Sequence, residues 1–279
     1  MLASGEHVGQ ALAEAQHAIA GGYAIGVDPV AAGEIPLGES VGKGHVVQLG
    51  EAPPGLVDFR WPLGIVPAIT GNAAATGAAA GWVEHGGEQL YVVEAQTDAE
   101  HLVDLYLGML ERVPAADNLE VRVLDHFEHA AVTDVWLTSR VNAKKILRFL
   151  DDYDDELIHN GHVELSIYLR KQRATLRLTP HKTVVWLAET RELAGDVERW
   201  LRELAVPRAA GALVTAEAGA HVHYRIGKSR DRKKLDEELY RQRLRKVDSI
   251  KSSGAVCGEA PASSGPASSA PTSGPASTS

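Results

Sequence analysis

A chain of 279 residues with 44% hydrophobic and 23% charged side chains has ample material for a buried core, drawn mostly from Leu, Val, Ile and Ala because aromatics make up only 5%. One cysteine, Cys257, excludes an intrachain disulfide, and the first residues show neither the basic nor the apolar stretch of a cleavable secretory signal, so a cytoplasmic location is expected. The formal charge of −9 is unevenly spread: residues 1–140 carry 19 acidic and 5 basic side chains, residues 141–224 carry 12 of each, and residues 225–251 carry 11 basic and 5 acidic.

In chain order, Val8, Leu12, Ala15 and Ile19 recur at helical spacing, which predicts a helix over 6–20 stopped by Gly21-Gly22. The Gly- and Pro-rich stretch to about Gly55 contains two strand-like runs, YAIGV and HVVQL. The run GESVGKG, Gly38 to Gly44, resembles a phosphate-binding loop only in part. Three residues instead of four precede Gly-Lys, and Gly44 stands where a Mg²⁺-binding hydroxyl belongs, so it reads as a surface turn. Trp61 to Val83 is uncharged and long enough to span a bilayer, yet Ala, Gly and Pro dominate it. A buried strand followed by a small-residue helix or loop is expected, with no transmembrane segment.

From Glu88 the signals sharpen. EQLYVVEAQ predicts a strand, and Thr97 to Glu100 has the form of a capping box ahead of a helix ended by Pro114. Leu102, Leu105, Tyr106, Met109, Leu110 and Val113 make its apolar stripe. LEVRVLDHF and TDVWLTS follow as strands, then a helix over 142–158 with Ile146, Leu147, Leu150, Tyr153 and Leu157 inward, then the strand from Val163. The order is β-α-β-β-α-β, the ferredoxin-like plan within an α+β class. Two more strands and a helix extend it, with Val163, Leu165, Ile167, Leu169, Leu176, Leu178, Val185 and Leu187 sharing one buried face if both connecting loops are even in length. The segments LYVVEAQ…RVP and TVVWLAE…AVP repeat a strand-helix-Val-Pro unit.

HVHYRI reads as a last strand, and 228–251 as a basic helix capped by Ser229. The expected organisation is therefore an N-terminal helix plus irregular β-rich region over 1–87, an α+β core domain over 88–227, the basic helix over 228–251, and a disordered Ser/Ala/Pro/Gly tail over 252–279.

Three groups of residues carry candidate chemistry. Even loops place Tyr168, Arg170, Arg177 and Trp186 on the outward sheet face, an aromatic and cationic platform suited to stacking bases and neutralising phosphates, or else a local cross-strand pair. Arg232, Lys233, Lys234, Arg241 and Arg245 make the basic helix a surface for a protein partner, for nucleic acid, for the acidic front half of the same chain, or for the run Asp151 to Glu156. The His126/His129, His159/His162 and His221/His223 pairs are the metal candidates, the last because an i, i+2 pair on a strand points both rings to one side.

No nucleophile elbow, nucleotide fingerprint or complete metal motif is present, so no cofactor is expected and catalysis is not the first reading. The leading expectation is a non-catalytic binding or adaptor protein with a protein partner or self-association. A nucleic-acid-binding protein is the alternative, and a metal-dependent hydrolase using the His pairs is the second.

Overall fold

The computed structural model describes residues 2–4, 22–30, 44–51, 59–67, 79–87, 89–124, 132–211, 213–216, 221–226 and 229–251. The expected helix over 6–20, the Gly38 to Gly44 turn apart from Gly44, His126, His129, Cys257 and the tail over 252–279 lie outside the described residues.

The protein is α+β. Strands β1 (Leu2–Ser4), β2 (Gly22–Val30) and β3 (Gly44–Glu51) form an antiparallel sheet in the order β1-β3-β2, so both strand-like runs of the N-terminal region are strands. Strand β4 (Ile65–Pro67) pairs with β12 (His221–His223) as a small second sheet. The main sheet holds β5 (Gly81–His85), β6 (Tyr91–Gln96), β7 (Asn118–Val123), β8 (Val132–Leu137), β9 (Val163–Leu169), β10 (Ala174–Leu178), β11 (Val184–Ala188) and β13 (Arg245–Lys251). Its order is β13-β8-β7-β9-β10-β11-β6-β5, with every neighbouring pair antiparallel. Among the described residues no helix is long and apolar enough to cross a membrane.

The β-α-β-β-α-β succession is present, but its strands are not arranged as a ferredoxin-like sheet. In that plan the third strand lies between the first two. Here β8 stands outside β7, and β9, β10 and β11 separate β6 from β7. The hairpin β10–β11 has been inserted in space where a simple core would close.

One face of this sheet is apolar and covered by helices. Helix α1 (Leu102–Arg112) buries Leu102, Leu105, Tyr106, Met109 and Leu110, as its stripe predicts. It packs beside α2 (Ala143–Asp152) and α4 (Ala194–Glu203). The Thr97/Glu100 capping box does not form. Asp98 instead accepts from the amides of Glu100 and His101, because the chain makes one extra turn before α1 begins. The helix expected over 142–158 is two: α2, capped by Asn142 on the Lys145 amide at 3.1 Å, and the single turn α3 (Asp154–Leu157), broken at Tyr153 (φ −131°, ψ 32°). The repeated strand-helix-Val-Pro units are β6–α1 and β11–α4. Their strands pair antiparallel and their helices touch, a local two-fold arrangement; a side chain at Gly108 would collide with Leu204.

The largest departure from expectation lies in the second hairpin. The β9–β10 connection, Arg170 to Arg173, has the even length that keeps Leu165 and Ile167 beside Leu178 and Leu176. The β10–β11 connection is odd. Thr179 and Thr183 close it, Pro180 and His181 form a turn bonded from the Lys182 amide to the Thr179 carbonyl at 3.0 Å, and Lys182 adopts a left-handed φ of 60°. This is a three-residue turn with a bulge, and Pro180 suits its second position. The added residue rotates β11 by one side chain, so Trp186 faces Leu176 in the core and Val185 and Leu187 face outward. Trp186 is 1% exposed and meets Trp200 edge to face at 6.1 Å, whereas Leu187 is 37% exposed. The platform of Tyr168, Arg177 and Trp186 is therefore not formed.

The expected basic helix over 228–251 is also two elements. Helix α5 (Arg232–Arg241) is capped by Asp231, not Ser229, and stops at Gln242; Arg243 turns left-handed, and β13 joins the sheet beside β8. Leu235, Leu239 and Leu244 are buried. Asp134 anchors this end: buried on β8, it accepts from Arg232 at 2.6 Å, Ser249 at 2.6 Å and Lys246 at 2.7 Å. Burial alone would raise its pKa, but the bonds from Lys246, Ser249 and Arg232 outweigh it and bring the value below the usual carboxylate range.

Two measurements check these arrangements. Trp186→Ala should lower unfolding free energy by about 4 kcal/mol and Leu187→Ala by less than about 1 kcal/mol; equal losses in urea denaturation would contradict the odd register. Asp134 is deprotonated more readily folded than unfolded, so its contribution is present above about pH 4 and is lost as pH falls through its lowered value. Asp134→Asn should cost about 3 kcal/mol at neutral pH and flatten the acid limb of the stability curve; an unchanged limb would remove Asp134 as the anchor.

Candidate metal centre

The same odd turn carries His181 to the tip of a hairpin that meets the small sheet. On β12, His221 and His223 flank Val222, so their rings project to one side as period two requires. The two rings lie 4.8 Å apart between centroids, and His181 lies 5.0 Å from His221 and 5.2 Å from His223. One ring nitrogen from each of the three lies within 4.8 Å of the other two, and His181 Nδ1 is 2.9 Å from His221 Nε2. Tetrahedral zinc with Zn–N bonds of about 2.0–2.1 Å separates its ligand nitrogens by roughly 3.3 Å, so small side-chain rotations would bring these three into range.

The surroundings hold the cluster rigidly. The Thr179 and Thr183 hydroxyls bond to each other at 2.8 Å, and Thr183 donates to Glu94 on β6 at 2.6 Å. Lys182, fully buried, donates from Nζ to the Asn160 carbonyl at 2.6 Å, tying the hairpin to the turn before β9; burial lowers its pKa to about 7. That turn is locked to the small sheet: the Gly161 amide donates to Tyr224 at 3.0 Å, and the Tyr224 amide donates to Gly64 at 2.8 Å. Gly64 has a φ of +91°, and a Cβ at Gly161 would sit 1.9 Å from the Gly64 carbonyl oxygen, so this crossing requires glycine on both segments.

Chemically, His221 and His181 are prepared as neutral ligands. His221 is buried, and that burial, with the neighbouring His181, pushes its pKa down to about 3. Burial also lowers His181, against the opposing pull of Glu94. Neutral imidazoles keep the lone pair that a metal needs. His223 Nδ1 lies 3.1 Å from the Gly161 carbonyl; the N–H donated there makes Nε2 the ligating nitrogen, an orienting bond of the kind that metal-binding histidines use. His221 Nδ1 is buried without a hydrogen-bond partner, and the Trp61 ring lies 6.0 Å away.

The other sequence candidates divide as follows. His159 and His162 sit on the turn beside the cluster but outside it; His159 is buried, and burial with nearby Lys182 lowers its pKa. On the outward sheet face Tyr168 donates to Glu120 at 2.8 Å, Arg122 donates to the same carboxylate at 2.6 Å, and Arg177 pairs with Glu164 at 2.8 Å. Arg170 bonds Asn118 at 3.1 Å. The face is thus a charge-compensated ladder. In the basic segment Arg232 holds Asp134, Lys234 pairs with Asp231 at 3.2 Å, Arg241 pairs with Glu238, and Lys233 and Arg245 are exposed. His181 was not singled out by sequence because no second histidine stands within a ligand spacing of it. Its place at a turn was legible; its closeness to β12 was not. No protein-family model, curated protein or solved structure matches this chain.

Proposed function

We propose that the protein binds a divalent transition metal, zinc above all, through His181, His221 and His223, and uses it as a metal-dependent hydrolase. The observation that carries the reading is the convergence of three histidine nitrogens within 4.8 Å from two separate elements. Three imidazole ligands leave a fourth position for water, which distinguishes catalytic from closed structural zinc sites. A doubly charged ion held by uncharged ligands keeps its full acidifying effect on that water, so a hydroxide forms near neutral pH and can attack a polarised carbonyl or phosphoryl group. His181 and His223 are half-buried, leaving the cluster reachable from solvent.

Metal-stripped protein should take up one zinc per chain with sub-micromolar affinity in calorimetric titration, and zinc should raise the unfolding temperature. His221→Ala and His181→Ala should each weaken binding more than about 100-fold, beyond the range of losing an orienting partner. A wild-type chain that takes up no zinc at millimolar concentration would end the reading. Zinc uptake without hydrolysis of activated esters or phosphodiesters would restrict it to a metal-binding protein.

A second reading, a non-catalytic adaptor, is favoured by β13. This outermost strand exposes Val247 and Ile250 beside the exposed Arg245, and no described strand pairs with its outer edge. Such an edge suits addition of an acidic partner strand, although the bulge at Val247 interrupts it. Ile250→Lys should abolish co-purification of any such partner while leaving zinc uptake intact; retention of the partner would refute strand addition.

A further inference from the structure

Helix α2 carries its charges against its own dipole. Lys144 and Lys145 occupy the first turn with no acid among them, and Asp151 and Asp152 close the last. Backbone amides concentrate positive charge at the first end and carbonyls negative charge at the other, so each placement is unfavourable. Beyond the acidic end, Arg230 pairs with Glu156 on α3 and lies 5.6 Å over the Tyr153 ring. Lys144, Lys145 and Arg148 are exposed, and their side chains make no ion pair or hydrogen bond among the described residues.

These three cations line a groove of about 620 Å³ that runs along α2 toward Arg230 and Gln242. Phe149 and Tyr153 follow them in its wall, half-buried, with ring centroids 5.2 Å apart. Tyr153 is fixed from behind by its bond to Glu238 at 2.7 Å and by Gln242 at 2.8 Å. Asp152 and Glu156 lie at the far end. At 1.5 Å per residue the groove passes from cations through aromatic rings to carboxylates over roughly 12 Å.

We propose that this groove binds a nucleoside polyphosphate. Its phosphates meet Lys144, Lys145 and Arg148, its base lies against Phe149 and Tyr153, and its sugar hydroxyls or exocyclic amine donate to Asp152. Size agrees with small-ligand sites, and base stacking on aromatic rings is independent of base identity. Asp152, which has no cationic partner among the described residues, repels a polyanion that continues past one nucleotide, so a mononucleotide fits better than a strand. The ligand also removes the electrostatic cost at the start of α2. The site is separate from the histidine cluster and does not depend on it.

The test is calorimetric titration of the full, metal-stripped chain at low salt with ATP, ADP, AMP, tripolyphosphate and a ten-nucleotide oligothymidine. ATP should bind with affinity falling from ATP to ADP to AMP, and tripolyphosphate should bind at least about tenfold more weakly than ATP. Arg148→Gln and Lys144→Gln, both at exposed positions that leave folding intact, should each weaken ATP about tenfold. Phe149→Leu should weaken ATP but not tripolyphosphate. The proposal is overturned if ATP fails to bind at millimolar concentration, if the Gln variants bind as the wild type does, if tripolyphosphate matches ATP, or if the oligonucleotide binds more tightly than ATP.

Discussion

A single left-handed residue at the tip of the β10–β11 hairpin governs more of this molecule than any one apolar contact. Lys182 lengthens the turn to an odd count, and a sheet with side chains of period two responds by exchanging the two faces of β11. Trp186 enters the core as a result, Leu187 leaves it, and β6 receives a partner whose large residue packs on Trp200 from α4. A non-glycine residue at this φ carries a strain cost of about 1 kcal/mol or more. The buried Nζ bond to Asn160 helps to offset it and fixes where the hairpin tip points.

That direction connects the fold to the candidate metal centre. The bond from Lys182 brings the hairpin onto the turn at Asn160-Gly161, and Gly161 and Gly64 allow the turn to lie directly against the small sheet. His181 then meets His221 and His223 because three backbone segments are held at van der Waals distance by hydrogen bonds, not because any of them encodes a metal motif. His181 and His221 are desolvated for the same reason, and desolvation is what keeps those two imidazoles neutral.

Charge is distributed on a similar plan. Acidic and basic residues far apart in sequence find each other at Asp134 with Arg232 and Lys246, and at Glu156 with Arg230. The outward sheet face is neutralised as well, through Glu120, Arg122, Glu164 and Arg177. Uncompensated cations survive at the start of α2, where the helix itself disfavours them.

Local periodicity determined a good deal from sequence alone: the α+β class, the strand runs from Tyr91 to Ala188 and the buried stripe of α1 are properties of adjacent residues and were legible as such. The parity of the second loop also had a local signature, Thr-Pro-His-Lys, but a left-handed lysine is uncommon enough that an even turn was the natural expectation. The division of 228–251 into helix and strand was hidden, because a stripe of Leu235, Leu239 and Leu244 continues at helical spacing and only pairing with β8 draws the remainder into the sheet. Strand order, the closeness of His181 to β12 and the groove beside α2 were decided by tertiary structure. Each depends on contacts between segments tens of residues apart, and those contacts are selected by packing and hydrogen-bond closure, which no window of sequence contains.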